Sequence, residues 1–319
     1  MKPQYSRRKF LQTAAVSATA AMLPGTAGST PNPYDKLKPL KPGELPKRRL
    51  GRTNRMVSCI GFGGGSRYAN WVADEANLQK LFDYAIKLGI TYFDAARLYG
   101  NGLTEERYGK YLTPKYRNQI FLNSKTISRT YDGVLKDIET SLKTLKTDYL
   151  DLYCMHGIDQ VEDVDTLSGA EGGYKAFLKL KKEGVVKNIG FSFHKWNEAS
   201  QRSFNEFDVD AILCVINASR YNGNEDGLIP LASKRDIGII AIKIMGQNAL
   251  IGNASGDELL RYALSLPISV ANVGIDGFAP LESCVEVGKE PVISEAEAKM
   301  IQVKLAFDPK VTRLPYYTG

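Results

Sequence analysis

The chain has 319 residues, 43% of them hydrophobic and 24% charged, a globular composition with ample core, long enough for one barrel-sized domain or two smaller ones. The net charge of +7 is inflated by Lys2, Arg7, Arg8 and Lys9; without them 38 basic residues face 35 acids, and no basic block interleaved with aromatics marks a nucleic-acid surface. Cys59, Cys154, Cys214 and Cys284 are far apart, and no C-x-x-C or Cys/His spacing suggests a zinc site, which leaves four buried free thiols as the expectation.

Residues 1–28 read as a targeting segment: a basic patch, an apolar stretch from Phe10 to Leu23, then small residues near Gly25-Thr26-Ala27. The stretch is too short and too rich in Ala, Thr and Ser for a stable membrane span. Ser6-Arg7-Arg8-Lys9-Phe10-Leu11 resembles the twin-arginine (Tat) export signal, which implies the Tat export machinery as a partner and a periplasmic location, membrane-anchored if the signal stays uncleaved. A disordered basic N-terminus on a cytoplasmic protein is the alternative. Five prolines within residues 29–47 then form a semi-stiff linker.

From Arg48 onward, through residues 48–319, the texture changes. Eight short apolar runs follow: Ser58–Phe62, Thr91–Phe93, Ile120–Leu122, Tyr149–Met155, Asn188–Phe191, Ala211–Ile216, Gly238–Ile242 and Ser269–Val273. Between them Glu75–Leu88, Val134–Leu145, Tyr174–Lys182 and Asp257–Leu266 carry helical spacing. Eight strands with helical crossovers predict an α/β fold, a parallel (β/α)8 TIM barrel, with Leu50-Gly51-Arg52-Thr53 in a short N-terminal hairpin that plugs its floor. A doubly wound sheet is the runner-up, but Gly61-Phe62-Gly63-Gly64-Gly65 lacks the spacing of a dinucleotide turn. A helix around Ser294–Phe307 and a tail ending Pro315-Tyr316-Tyr317 close the chain.

A barrel of this kind gathers its chemistry at the C-terminal strand ends. The first polar residue of each run gives Asp94, Lys125, His156, Ser192, Asn217 and Lys243. Tyr99 follows Asp94 by five residues and precedes the loop Gly100-Asn101-Gly102. Alone, Asp94 reads equally as a helix N-cap, Tyr99 as packing and His156 as structural. Together they make an acid–base set. An ammonium beside a phenol lowers a pKa that is otherwise about 10, a carboxylate holds the ammonium, and a neutral imidazole orients a carbonyl.

The region from about Arg48 to Leu305 resembles the aldo/keto reductase family. Phe93-Asp94-Ala95-Ala96 with Tyr99-Gly100, Asn123-Ser124-Lys125, Asp151-Leu152-Tyr153-Cys154-Met155-His156 and Gly190-Phe191-Ser192 are similar to its motifs in order and spacing. The resemblance implies an oxidoreductase with Tyr99 as proton donor, Lys125 and Asp94 as its tuning pair and His156 as carbonyl orienter. It implies hydride transfer between a nicotinamide cofactor, NADP(H) as the family default, and a small carbonyl or sugar-like substrate. Cofactor contacts are then expected at Ser192, His194, Asn217, Lys243, Gly274 and Asp276.

The departures lie on that side. The family's Ser-Asn pair is Ser192-Phe193 here, its strand-six Gln falls at Leu213, and Asp276 stands where NADP-preferring members carry Arg or Lys. NAD(H) therefore stays open. His194 reads either as the carboxamide partner or as a solvent-facing cap on the next helix. Trp71, Arg97, Arg129, Tyr131, Trp196 and Tyr221 are pocket candidates. A non-catalytic nicotinamide-binding sensor or scaffold is the competing reading. A metal-dependent hydrolase or isomerase is disfavoured, because two histidines and one strand-end acid are too few ligands.

Overall fold

The computed structural model describes residues 44–69, 75–290 and 292–306. The twin-arginine stretch, most of the linker, Trp71 and the terminal Pro315-Tyr316-Tyr317 lie outside the described residues.

The chain opens with an antiparallel hairpin of β1 (Lys47–Arg49) and β2 (Met56–Ser58), with Gly51–Thr53 as a 3₁₀ turn between them. Eight parallel strands follow and close into a barrel: β3 (Ile60–Gly63), β4 (Tyr92–Asp94), β5 (Phe121–Thr126), β6 (Leu150–Met155), β7 (Val186–Phe193), β8 (Ala211–Val215), β9 (Gly238–Ile242) and β10 (Val270–Gly274). Each strand pairs with the next in sequence, and β10 pairs back onto β3 through Ala271↔Ile60 to Gly274↔Gly63. The expected (β/α)8 barrel is therefore the observed fold.

Strand alternation sorts the side chains into two cores. Outward residues such as Phe62, Phe93, Leu122, Tyr153 and Ile212 pack under the helices. Inward residues Tyr92, Phe121, Leu152, Cys154, Ala211, Leu213, Ile240 and Val270 fill the barrel, and Leu50 and Val57 of the hairpin join that cluster. The hairpin is thus the floor plug. Asp94 lies two residues beyond Tyr92, Lys125 four beyond Phe121 and His156 four beyond Leu152, so the same alternation sends these polar residues inward, one layer above the apolar filling.

Helices Glu75–Lys87, Tyr131–Leu145, Gly173–Lys182 and Gly256–Ser265 match the periodic segments within a few residues. The closing helix runs Glu295–Leu305, with Ser294 as its N-cap. All four cysteines are buried and free.

Candidate active site

Asp94 ends β4 and Lys125 sits inside β5, so Asp94 is a strand residue and not a helix cap. Both side chains are 1% exposed, and Lys125 Nζ donates to Asp94 Oδ1 at 2.7 Å. Its other two hydrogens go to the Ala95 carbonyl at 2.9 Å and the Tyr99 hydroxyl at 3.1 Å, which uses every donor an ammonium has. Asn123 Nδ2 donates to the same Asp94 oxygen at 2.7 Å and fixes the carboxylate from the side. The Tyr99 hydroxyl lies 3.4 Å from Asp94 Oδ2, and the His156 ring stands edge-on to the Tyr99 ring, 5.5 Å between centroids. All four predicted residues converge.

Tyr99 reaches this place through a turn. Gly100, Asn101 and Gly102 all have positive φ, which folds the chain back before helix Leu103–Tyr111 begins. That helix ties the turn to the barrel: Thr104 Oγ1 donates to the Gly64 carbonyl at 2.7 Å and Tyr108 donates to the Asp94 carbonyl at 3.2 Å. Gly64 must be glycine, since a Cβ there would lie 2.4 Å from the Asp94 carbonyl oxygen. The glycine-rich run that failed as a dinucleotide turn thus lets the β3 loop lie directly on the Asp94 backbone.

Burial adds to the electrostatics that the charges alone would set. Burial pushes the Tyr99 phenol up to about 12, and the neighbouring Lys125 only partly offsets this, so the resting residue is a protonated phenol. Burial works against the Lys125 ammonium, but Asp94 and Tyr99 together outweigh it and hold the lysine charged. Burial, reinforced by the charges of Lys125, His194, Arg129 and Lys243, presses the His156 imidazole down to about 3. His156 is therefore neutral, and its Nδ1 is buried without a partner.

Arg129 holds the His156 loop: its Nη2 donates to the carbonyls of His156 at 2.8 Å and Gly157 at 2.9 Å, while Nε pairs with Asp163 at 2.8 Å. Arg97 turns away from the mouth to Glu105, which also accepts from Ser124 Oγ at 2.6 Å. Trp196 packs back between Phe193 and Phe204. These three pocket candidates are thus framework residues, whereas Tyr221 stays exposed and Tyr131 opens a helix.

On the cofactor side, Ser192, the last residue but one of β7, faces inward, and its Oγ accepts the Gly157 N–H at 2.9 Å. Asn217 is buried; its Oδ1 accepts from the Ser219 N–H at 3.2 Å and its Nδ2 donates to the Lys243 carbonyl at 3.4 Å. His194 is not the cap of the next helix. Helix Glu198–Glu206 is capped by Asn197, and the His194 ring lies between Asp159, 2.6 Å from Nδ1, and Lys243 Nζ, 2.7 Å from Nε2. Asp159 was missed because it reads as an ordinary loop acid; only the register of β6 against β7 brings it to His194.

Asp276 does not stand as a bare acid. Arg67, from the short helix Ser66–Ala69 after β3, places Nε 2.6 Å from it and Nη1 3.2 Å from Asn248 Oδ1. Gly274 lies under the Arg67 stem. Helix Phe278–Lys289 then begins at Gly277 with no side-chain cap and no acid in its first turn. A guanidinium, an uncapped helix start, the Lys243 ammonium and inward Ser192 and Asn217 form a donor set that fits an anionic dinucleotide. Leu213, in contrast, belongs to the apolar barrel filling and offers no polar atom.

The family model described as Aldo/keto reductase family matches residues 59–262. Pyridoxal 4-dehydrogenase from Microbacterium luteolum is 26% identical, over 68% of this chain and 75% of that protein. An aldo-keto reductase from Bacillus halodurans in its holo form superposes with a TM-score of 0.69 at 22% identity, covering 82% of this chain and 96% of that one. An aldo-keto reductase from Klebsiella pneumoniae in complex with NADPH gives 0.66 at 20% identity, covering 85% and 98%. The structural likenesses speak to the fold, and the family match spans more than half of the sequence. The chain belongs to the aldo/keto reductase family, a family of oxidoreductases.

Proposed function

We propose that this protein moves a hydride between NADP(H) and the carbonyl carbon of a small substrate, with Tyr99 handling the proton at the oxygen. The observation that carries the reading is the buried contact of Lys125 with both Asp94 and Tyr99 beside the edge of His156. A buried ion pair is a poor way to stabilise a core, since well-packed apolar residues serve as well or better. Its presence under a phenol at a barrel mouth is better explained by chemistry.

Neutral His156 hydrogen-bonds the substrate oxygen and orients it. Tyr99, protonated at rest, donates its proton as that oxygen gains charge. Lys125 stabilises the phenolate left behind, and Asp94 with Asn123 keeps Lys125 in place. The nicotinamide cofactor, when bound, supplies or accepts the hydride. Arg67, the uncapped helix start at Gly277 and Lys243 would hold its phosphates, and Ser192 and Asn217 its polar ring substituents. The NADPH in the Klebsiella pneumoniae relative supports NADP(H) as the cofactor.

A second reading, a nicotinamide-binding sensor or scaffold without catalysis, is favoured by one observation: Leu213 offers no polar group where the family has Gln. The Tyr99→Phe substitution separates the two. An enzyme loses NADPH-dependent reduction of a panel of aldehydes and ketones by about 10²–10⁴-fold while still binding NADPH. An unchanged rate would contradict the proposal.

We also propose that the protein leaves the cytoplasm folded, with its cofactor loaded, through the twin-arginine route; Arg7 and Arg8 support this. Replacing both by lysine should retain the protein in the cytoplasm, and unchanged periplasmic recovery would contradict export by that route.

A further inference from the structure

Four glycines stand in the run Gly61-Phe62-Gly63-Gly64-Gly65, and three of them answer to close packing. A Cβ on Gly61 would lie 2.8 Å from the Tyr92 ring and from Val270, one on Gly63 2.7 Å from the Val273 carbonyl oxygen, and one on Gly64 2.4 Å from the Asp94 carbonyl oxygen. Gly65 differs. Among the described residues a Cβ there would meet the Tyr99 ring alone, 3.8 Å from Cζ and 4.0 Å from Cε2, which is ordinary van der Waals contact. Its φ is not positive, so its backbone suits residues with a side chain. Its carbonyl accepts the Ala69 N–H at 2.8 Å, which puts it at a helix start, where Ser, Asn or Asp serves at least as well. Neither the backbone nor the packing asks for glycine at this position.

Cζ is the carbon that carries the Tyr99 hydroxyl, so the missing side chain lies directly beside the reacting group. Other sides of the phenol are occupied: Lys125 Nζ lies 4.5 Å from the ring centroid, His156 meets the ring edge-on and Asp94 Oδ2 lies 3.4 Å from the hydroxyl. The loops on this side of the mouth also carry apolar side chains in water. Leu98, next to Tyr99 in the chain, is 57% exposed, and Ile127, two residues after Lys125, is 53% exposed. A site for a small molecule needs such apolar surface around the few polar groups that fix its orientation.

We propose that the bare Gly65 position seats a second carbon substituent on the substrate carbonyl, so that the protein takes ketones with a bulky apolar group as well as aldehydes. With the oxygen held by Tyr99 and His156, the two substituents of the carbonyl carbon leave on opposite sides. The apolar one lies along Leu98 and Ile127, and the other passes over Gly65. An aldehyde carries only hydrogen on that second side and has no use for the space. Gly65 is thus a specificity-determining residue, and a side chain there would close the ketone's place without touching Asp94, Lys125 or His156. This inference rests on the reading that the mouth reduces carbonyl compounds.

The test compares kcat/KM with NADPH for acetophenone, cyclohexyl methyl ketone and propanal in wild type, Gly65→Ala and Gly65→Val, each variant checked for folding by thermal melting. Wild type should reduce the ketones and the aldehyde. The ketone-to-propanal ratio should fall about tenfold in Gly65→Ala and about 100-fold in Gly65→Val, the range that a methylene or two is worth in a fitted pocket. Should the valine variant fail to fold, the alanine variant decides. Reduction of propanal but of neither ketone by wild type, or an unchanged ratio in folded Gly65→Ala, would overturn the inference alone. Reduction of none of the three by wild type would overturn the proposed function with it.

Discussion

Lys125 Nζ lies 2.7 Å from Asp94 Oδ1, and each side chain is 1% exposed. Removing one partner strands a charge in the barrel, which typically costs about 3–5 kcal/mol. Asp94→Ala and Lys125→Ala should each lose stability of that order in urea titrations. The double variant Asp94→Leu/Lys125→Met, with both charges gone and volume kept, should recover most of the loss and yet show no carbonyl reduction. Recovery of activity together with stability would mean the pair is only packing.

The acid limb of stability should report His156. Its folded pKa of about 3 lies below the ordinary value of 6.5, so between these values the unfolded chain binds a proton that the folded protein does not. The sign follows: this contribution is present above about pH 6.5 and is lost as pH falls toward about 3. Wild type should therefore lose urea stability across that window more steeply than His156→Gln. Parallel curves would show that the buried imidazole is not the cause.

With Tyr99 as the proton donor, its phenol should set the pH dependence of turnover. With the phenol pushed up to about 12, the acid form is fully populated near neutrality, so reduction should vary little between about pH 6 and 9. Alcohol oxidation needs the phenolate and should climb through the same window. Steady-state rates in both directions check this, and a falling reduction rate near neutral pH would contradict it.

If the proposed cofactor site is right, Arg67 and Asp276 should set cofactor choice. Arg67→Ala removes the guanidinium beside Gly274 and should weaken NADPH binding about tenfold or more, and NADH binding less. Asp276→Asn leaves Arg67 uncommitted to a carboxylate and should tighten NADPH. Fluorescence titrations with both cofactors measure the two effects; equal losses for NADPH and NADH in Arg67→Ala would remove Arg67 from phosphate recognition.

Most of the barrel was legible because its eight strands are apolar and its crossovers periodic. The sequence reading ended β5 at Leu122, but the strand continues through Asn123-Ser124-Lys125-Thr126. Polar residues end an apolar pattern without ending a strand whose upper layer is paired inside the barrel. Asp94, Tyr99, Lys125 and His156 were found because each follows an inward strand or its turn. Asp159 and Arg67 were not, because their partners are 35 and 209 residues away and nothing local marks them. His194 was visible as an oddity, but its contacts with Asp159 and Lys243 come from other loops and leave no local mark. The pull of Lys125 on the Tyr99 phenol was legible, but the larger opposing effect of burial was not, because a sequence shows which charges are near a phenol and not how far it is withdrawn from water.

Proton delivery by Tyr99 while hydride passes to a carbonyl carbon is open to direct test. The most direct measurement is single-turnover transfer of deuterium from C4-deuterated NADPH to an aldehyde, read by mass spectrometry of the alcohol. One deuterium per product is expected with the wild-type protein, and a rate at least about 100-fold lower in Tyr99→Phe at saturating cofactor. Transfer at the wild-type rate in Tyr99→Phe, or product alcohol without the label, would contradict it.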